Sequence, residues 1–372
     1  MPAGRPYSFG DRPSDEKTAY HQHRWKISRR LCALFRGRSV AKQPLAQGFS
    51  PAKLKVLLTL LLALWGGIVL MSPAKANGTP EGESWVTSME GETLLRPFQN
   101  APFPYKSREK GYTYDGKLFD APTHYSDSTV GIFIPAGYRP GAEVDYVVHF
   151  HGWSNHVAAV LDHYELRRQM VASKRNAILL VPQGPKDAQD SSGGRLEGDP
   201  GAFEALLREI TQFLAEAGKI HTTHIGSIVL STHSGGYLVT GAILRQSALR
   251  SHITDVLLFD STYGELEAFT NWGAEKHHRL VSIFTRHLAP ENFMLTTFFQ
   301  KRHTAFTSIL EPDLTPSLLK VRAPLFIHIL DLAHDEVMQK HDYFALFLLT
   351  SALPETPSGA ASKQKFAQSA WH

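Results

Sequence analysis

The chain has 372 residues, 42% of them apolar and 20% charged, a balance that supports a packed core and excludes a wholly disordered polypeptide. Its net charge of +4 is unevenly spread: residues 1–76 carry 13 of the 39 Lys and Arg but 3 of the 35 Asp and Glu, so the remainder, 26 basic against 32 acidic, has a net charge of −6. That remainder offers no basic surface for nucleic acid. The single cysteine, Cys32, precedes it, which excludes disulfides, thiol catalysis and cysteine–zinc sites downstream.

Residues 1–55 are polar and cationic, and Val56 to Met71 form an uncharged, mostly apolar run, "VLLTLLLALWGGIVLM". Small residues follow at Ala74 and Ala76. A positive region, a short apolar run and an A-x-A site make a secretory signal. The run is short for a full membrane span, which takes roughly 20 residues. The expectation is export to the periplasm or the medium with cleavage after Ala76. The alternative is an uncleaved signal that anchors the protein through residues 56–71.

Residues 77–128, rich in Gly, Pro, Ser and Thr, predict an irregular N-terminal arm; the domain proper is expected over 129–353. Apolar runs predict strands at "TVGIFIPAGY", "VDYVVHFHG", "AILLVPQG", "SIVLSTH", "DVLLFD", "RLVSIFTRH" and "PLFIHIL". Helical spacing marks "LDHYELRRQMVASK", "GAFEALLREITQFLAEAG", "YLVTGAILRQSALR" and "DEVMQKHDYFALFLLTSAL". Strands alternating with helices predict a mostly parallel sheet with helices on both faces. Residues 288–320 break the alternation and predict a helical insertion over a site. The segment 354–372 is small and polar and is expected to be a disordered tail.

One corner carries chemistry. In "SIVLSTHSGGY" a strand runs through a tight glycine-rich turn into a helix, with Ser234 at the turn. Strand and helix backbones approach closely there, so small residues must flank the serine, and Gly235 and Gly236 do. The turn exposes the Ser234 hydroxyl and aims the first N–H groups of the helix at whatever it attacks. "THSGG" resembles the nucleophile elbow, G-x-S-x-G, of the α/β-hydrolase superfamily, with Thr232 in place of the first glycine. The resemblance covers roughly residues 129–352 and implies a three-layer α/β-hydrolase fold and a serine hydrolase.

It also implies roles for residues in the matching order. His151-Gly152, at the end of "VVHFHG", matches the strand that precedes the oxyanion loop, so the N–H groups of Trp153 and Gly235 are the expected oxyanion donors. His334, in the loop after the last strand, is the expected base, whereas His328 lies in the strand and His341 within the final helix. Asp260 is the expected acid. It follows what counts as the sixth strand, where most members use the seventh and some lipase branches the sixth; Asp331 and Glu291 remain alternatives. His151, Gly152, His233 and Tyr263 are candidate substrate contacts, with His151 read also as a structural hydrogen-bonding residue. The His149/His151 pair shares one face of a strand but lacks a nearby third ligand, and no metal is expected.

The loop 181–203 offers Asp190, Arg195 and Glu197 to a polar substrate or to solvent. Phe293, Met294, Phe298 and Phe299 fit core packing better than an acyl pocket. The expected activity is hydrolysis of a carboxylic ester in a small molecule or peptide through an acyl-enzyme, without a cofactor. The alternatives are an amidase, peptidase or acyltransferase with the same triad, and a non-catalytic envelope binding protein on the same fold. Oligomeric state is not legible.

Overall fold

Apolar runs that must be covered on both faces form the centre of a ten-stranded sheet in this computed structural model, which describes residues 84–357. The expected leader, Cys32, the run 56–71, the A-x-A site and the tail beyond 357 lie outside the described residues. The strands are β1 (Val86–Thr87), β2 (Gly91–Pro97), β3 (Tyr112–Tyr114), β4 (Lys117–Phe119), β5 (Thr129–Pro135), β6 (Val144–Phe150), β7 (Ile178–Pro182), β8 (Ile225–His233), β9 (Ile253–Phe259), β10 (Arg279–Phe284), β11 (Thr307–Leu310) and β12 (Leu325–His328). The sheet order is β1-β2-β5-β7-β6-β8-β9-β10-β12-β11, with β3 and β4 forming a separate ribbon. From β7 to β11 neighbours run parallel, whereas β1, β2, β5 and β7 pair antiparallel.

Successive strand residues point to opposite faces, and both faces are dry. Tyr146, Val148, Leu230 and Leu258 enter one core. Its cover is α3 (Ala202–Glu216), α4 (Tyr237–Gln246), α5 (Leu266–Gly273) and α6 (Ala289–Lys301). Val147, Val229, Leu257 and Phe259 enter the other core, under α1 (Val157–His163), α2 (Leu166–Ala172) and α7 (Tyr343–Leu349). This is the expected three-layer α/β-hydrolase fold. No helix among the described residues is long and apolar enough to cross a membrane.

Five expectations need correction. The N-terminal arm is not irregular throughout: β2 pairs with β5 from Gly91↔Pro135 to Pro97↔Thr129 and so belongs to the main sheet. The insertion at 288–320 is only partly helical, because β11 adds a parallel edge strand beside β12. The helix predicted over "LDHYELRRQMVASK" is two, α1 and α2, broken at Glu165 (φ 48°). The last helix is likewise broken at His341 (φ 62°) and Asp342 (φ 51°), so His341 sits at a break. The first tail residues are also ordered: Asn176 N–H donates to the Pro354 carbonyl and Thr356 N–H to the Lys174 carbonyl, both at 2.9 Å.

Candidate active site

Ser234 follows the last residue of β8 and takes φ +52°, the left-handed region that a non-glycine residue occupies only when its surroundings compel it. A short turn, Ser234–Gly236, then leads into α4. The surroundings explain the glycines. A Cβ on Gly236 would lie 2.6 Å from the Phe150 carbonyl oxygen and 2.2 Å from Thr232 Oγ1. One on Gly235 would meet Trp153 Cδ1 at 2.8 Å and Ser191 Oγ at 2.7 Å. One on Gly152 would stand 3.0 Å from Ser234 Oγ, in the space before the hydroxyl. The three glycines keep backbone close and leave Ser234 half-buried with an open approach.

Asp260 follows β9, the sixth strand of the main sheet counted from β2, and is fully buried with φ +44°. His334 Nδ1 lies 2.7 Å from its Oδ2. Thr285 completes the carboxylate's shell: its N–H donates to Oδ1 and its hydroxyl to Oδ2, each at 2.9 Å. Burial works to raise the Asp260 pKa, but the bond to His334, its charge and the Thr285 donors outweigh it, and the carboxyl is held below its ordinary value. An ionised carboxylate only accepts, so Nδ1 carries the proton and Nε2 of His334 is the free nitrogen. Neither alternative acid takes this place: Asp331 is exposed, and Glu291 sits in the first turn of α6 with a buried, unpartnered Oε2.

Aromatic rings flank His334. The Tyr263 ring stands edge-on to His334 with centroids 6.1 Å apart. The His233 ring stacks on His334 at 4.7 Å. His233 was expected as a substrate contact, but it is buried beneath the base. Its Nε2 faces the His334 carbonyl oxygen at 3.3 Å, so Nε2 carries the proton and Nδ1 accepts from the Tyr164 hydroxyl, also at 3.3 Å. Burial lowers its pKa to about 4, which keeps it neutral. His233, His334 and Asp335 bring ligand-type atoms within 4.8 Å of one another. The Nε2 proton of His233 already points into that group, which makes hydrogen bonding the better account of it than a cation.

His151 is also buried, and both of its ring nitrogens are bonded to protein. Gly184 N–H donates to its Nε2 at 2.9 Å, so Nδ1 carries the proton and donates to the Gly152 carbonyl at 2.8 Å. Burial lowers its pKa. The peptide that follows Gly152 is planar and trans, so the N–H of Trp153 points opposite to that carbonyl. His151 thereby sets the direction of the Trp153 N–H. His149 is fully buried against Ser231 Oγ at 2.9 Å and Phe344.

The polar loop 181–203 is tied down by bonds within the protein. Arg108, from the N-terminal arm, holds Asp190 with two bonds of 2.6 and 3.0 Å. Glu197 accepts from Gly193 N–H at 2.9 Å and the Ser192 hydroxyl at 3.2 Å, and Arg195 reaches the Pro104 carbonyl at 3.4 Å. Ser191 accepts from the Trp153 indole at 2.7 Å, while Tyr114 of the β3–β4 ribbon packs edge-on to that indole at 4.9 Å. Sequence reasoning missed Tyr114 and Arg108 because nothing local marks an arm that folds back on the site. Of the insertion's apolar residues, Phe299 is core, Phe298 is half-buried, and Phe293 and Met294 are exposed on α6.

No family model matches the chain, and no curated protein matches it. Solved structures do. A mutant of the feruloyl esterase module from Clostridium thermocellum, complexed with sinapinate, is 12% identical, with 71% of this chain and 89% of that one covered at a TM-score of 0.44. An S-formylglutathione hydrolase from Agrobacterium tumefaciens is 10% identical, covering 72% and 98% at 0.42. A fluorophosphonate-binding serine hydrolase from Staphylococcus aureus is 9% identical, covering 61% and 94% at 0.38.

Proposed function

We propose that this chain is an exported serine hydrolase that cleaves carboxylic esters through an acyl-enzyme. The observation that carries the reading is the His334–Asp260 bond of 2.7 Å beside a serine held at φ +52° in a turn cleared by glycines. A serine hydroxyl attacks well only when a base takes its proton. In this reading Ser234 Oγ bonds to the ester carbonyl carbon as its proton passes to His334 Nε2. The buried, ionised Asp260 stabilises the imidazolium and fixes its Nδ1–H tautomer.

The N–H groups of Trp153 and Gly235 receive the oxyanion; one such donor is typically worth about 3 kcal/mol of transition-state stabilisation. Collapse of the tetrahedral adduct breaks the ester C–O bond, and His334 returns the proton to the leaving alkoxide. Water, deprotonated by His334, then attacks the acyl-enzyme, releases the acid and restores Ser234. Export is the part of the proposal that rests on residues 1–76 alone.

Incubation with p-nitrophenyl acetate tests the reading. Steady release of p-nitrophenolate, abolished by prior treatment with a fluorophosphonate, is the expected result. A folded protein that neither hydrolyses the ester nor reacts with the fluorophosphonate would instead be a binding protein built on this fold.

A further inference from the structure

Two strained turns carry the site, Ser234 at φ +52° and Asp260 at φ +44°, at the ends of the adjacent parallel strands β8 and β9. Between them lies a buried pair of hydroxyls. Ser261 Oγ donates to the Ser234 carbonyl at 2.7 Å and stands 3.3 Å from Thr232 Oγ1. A hydroxyl has one proton, and Ser261 gives its proton to the carbonyl, so Thr232 must be the donor to Ser261. The order is therefore Thr232 O–H to Ser261 O–H to Ser234 C=O. The same carbonyl also accepts from Tyr237 N–H, which uses its second lone pair.

Thr232 and Ser261 are both fully buried, so lost bonds there cannot be replaced freely by solvent. Thr232 occupies the position where the elbow pattern has glycine, and its hydroxyl fills the space left by the missing Cβ of Gly236. The segment is braced from its far side as well. Asn292 Nδ2 donates to Thr262 Oγ1, and Ser282 Oγ donates to Asn292 Oδ1, both at 2.7 Å.

We propose that Thr232 and Ser261 are positioning residues, a buried hydroxyl relay that locks the turn bearing Ser234 to the turn bearing Asp260. The role rests on the proposed function, because it matters only if one imidazole must serve both residues. It explains why residue 232 is not glycine here: a glycine would leave Ser261 without its donor and a hole beside Gly236.

The test is the rate of fluorophosphonate labelling of the full chain, resolved into probe affinity and maximal rate, in Thr232→Val, Ser261→Ala, the double variant and Thr232→Ser. Thr232→Val keeps the shape and removes the hydroxyl, and Ser261→Ala removes one oxygen. Each is expected to lower the maximal labelling rate about tenfold, the effect of one lost buried hydrogen bond expressed in the transition state. Probe affinity should hold, the double variant should label no more slowly than Ser261→Ala, and Thr232→Ser should restore the rate. A folded Thr232→Val or Ser261→Ala that labels at the wild-type rate overturns the relay, as do losses that multiply in the double variant. Wild type that the probe does not label overturns the proposed function and the relay with it.

Discussion

Asp260→Asn is expected to lower kcat for ester hydrolysis roughly 10⁴-fold while leaving the fold intact, the effect of the equivalent change in a serine triad. The geometry says why. Oδ1 of Asp260 is fixed by the Thr285 N–H, which needs an acceptor, so the new amide must put its NH2 where Oδ2 now meets His334 Nδ1. The Thr285 hydroxyl, at 2.9 Å from Oδ2, can turn to accept from that NH2. Nδ1 of His334 would then have to accept, the proton would move to Nε2, and the base could no longer take the Ser234 proton. Turnover of p-nitrophenyl acetate, with circular dichroism as the check on folding, decides it. A rate within about tenfold of wild type would show that the orientation of His334 does not depend on this carboxylate.

The second large effect is on stability. Asp255 is fully buried on β9, where its Oδ1 accepts from Arg279 Nε at 2.6 Å and Arg322 Nη1 at 2.8 Å. Its Oδ2 accepts from the Thr254 hydroxyl at 2.8 Å and Ala352 N–H at 3.2 Å. Arg279, 1% exposed, spends its other donors on the Phe347 carbonyl at 2.6 Å, the Leu319 carbonyl at 2.8 Å and Thr350 Oγ1 at 2.7 Å. It therefore caps the C-terminal end of α7, where a cation suits the helix dipole.

Asp255→Ala leaves that guanidinium buried and uncompensated, which costs about 3–5 kcal/mol. A urea unfolding curve should show the loss; a change below about 1 kcal/mol would mean that water reaches Arg279. The pH dependence has a definite sign. Burial works to raise the Asp255 pKa, but Arg279 and Arg322 outweigh it, and the group is held below its ordinary value. Its contribution is thus complete above the unfolded-chain pKa of about 3.9 and is lost as pH falls through the lower folded value.

The strands from β5 to β10 and β12 are legible in the sequence because both their faces are buried, which leaves continuous apolar runs. β2 is not, because "GETLLRP" near the sheet edge carries Glu92, Thr93 and Arg96 on partly solvated positions. The helix breaks at Glu165 and Asp342 are invisible because neither residue is Gly or Pro; tertiary packing compels their positive φ. Ser234 and Asp260 are legible because each stands where an apolar strand ends, and His334 because it lies in the loop that follows the last such strand. The groups that hold them, Thr285, Ser261 and Thr232, are ordinary hydroxyl residues whose partners are 25 or more positions away. The place of His233 beneath the base is not legible, because sequence shows adjacency to the site but not which way a ring faces.

Peptide mapping of the fluorophosphonate adduct asks most directly whether the hydroxyl at the end of β8 is the nucleophile. The expected result is one adduct per chain, on the peptide that contains Ser234, and none on a folded Ser234→Ala variant. An adduct on any other residue, or one that persists in that variant, would contradict the account.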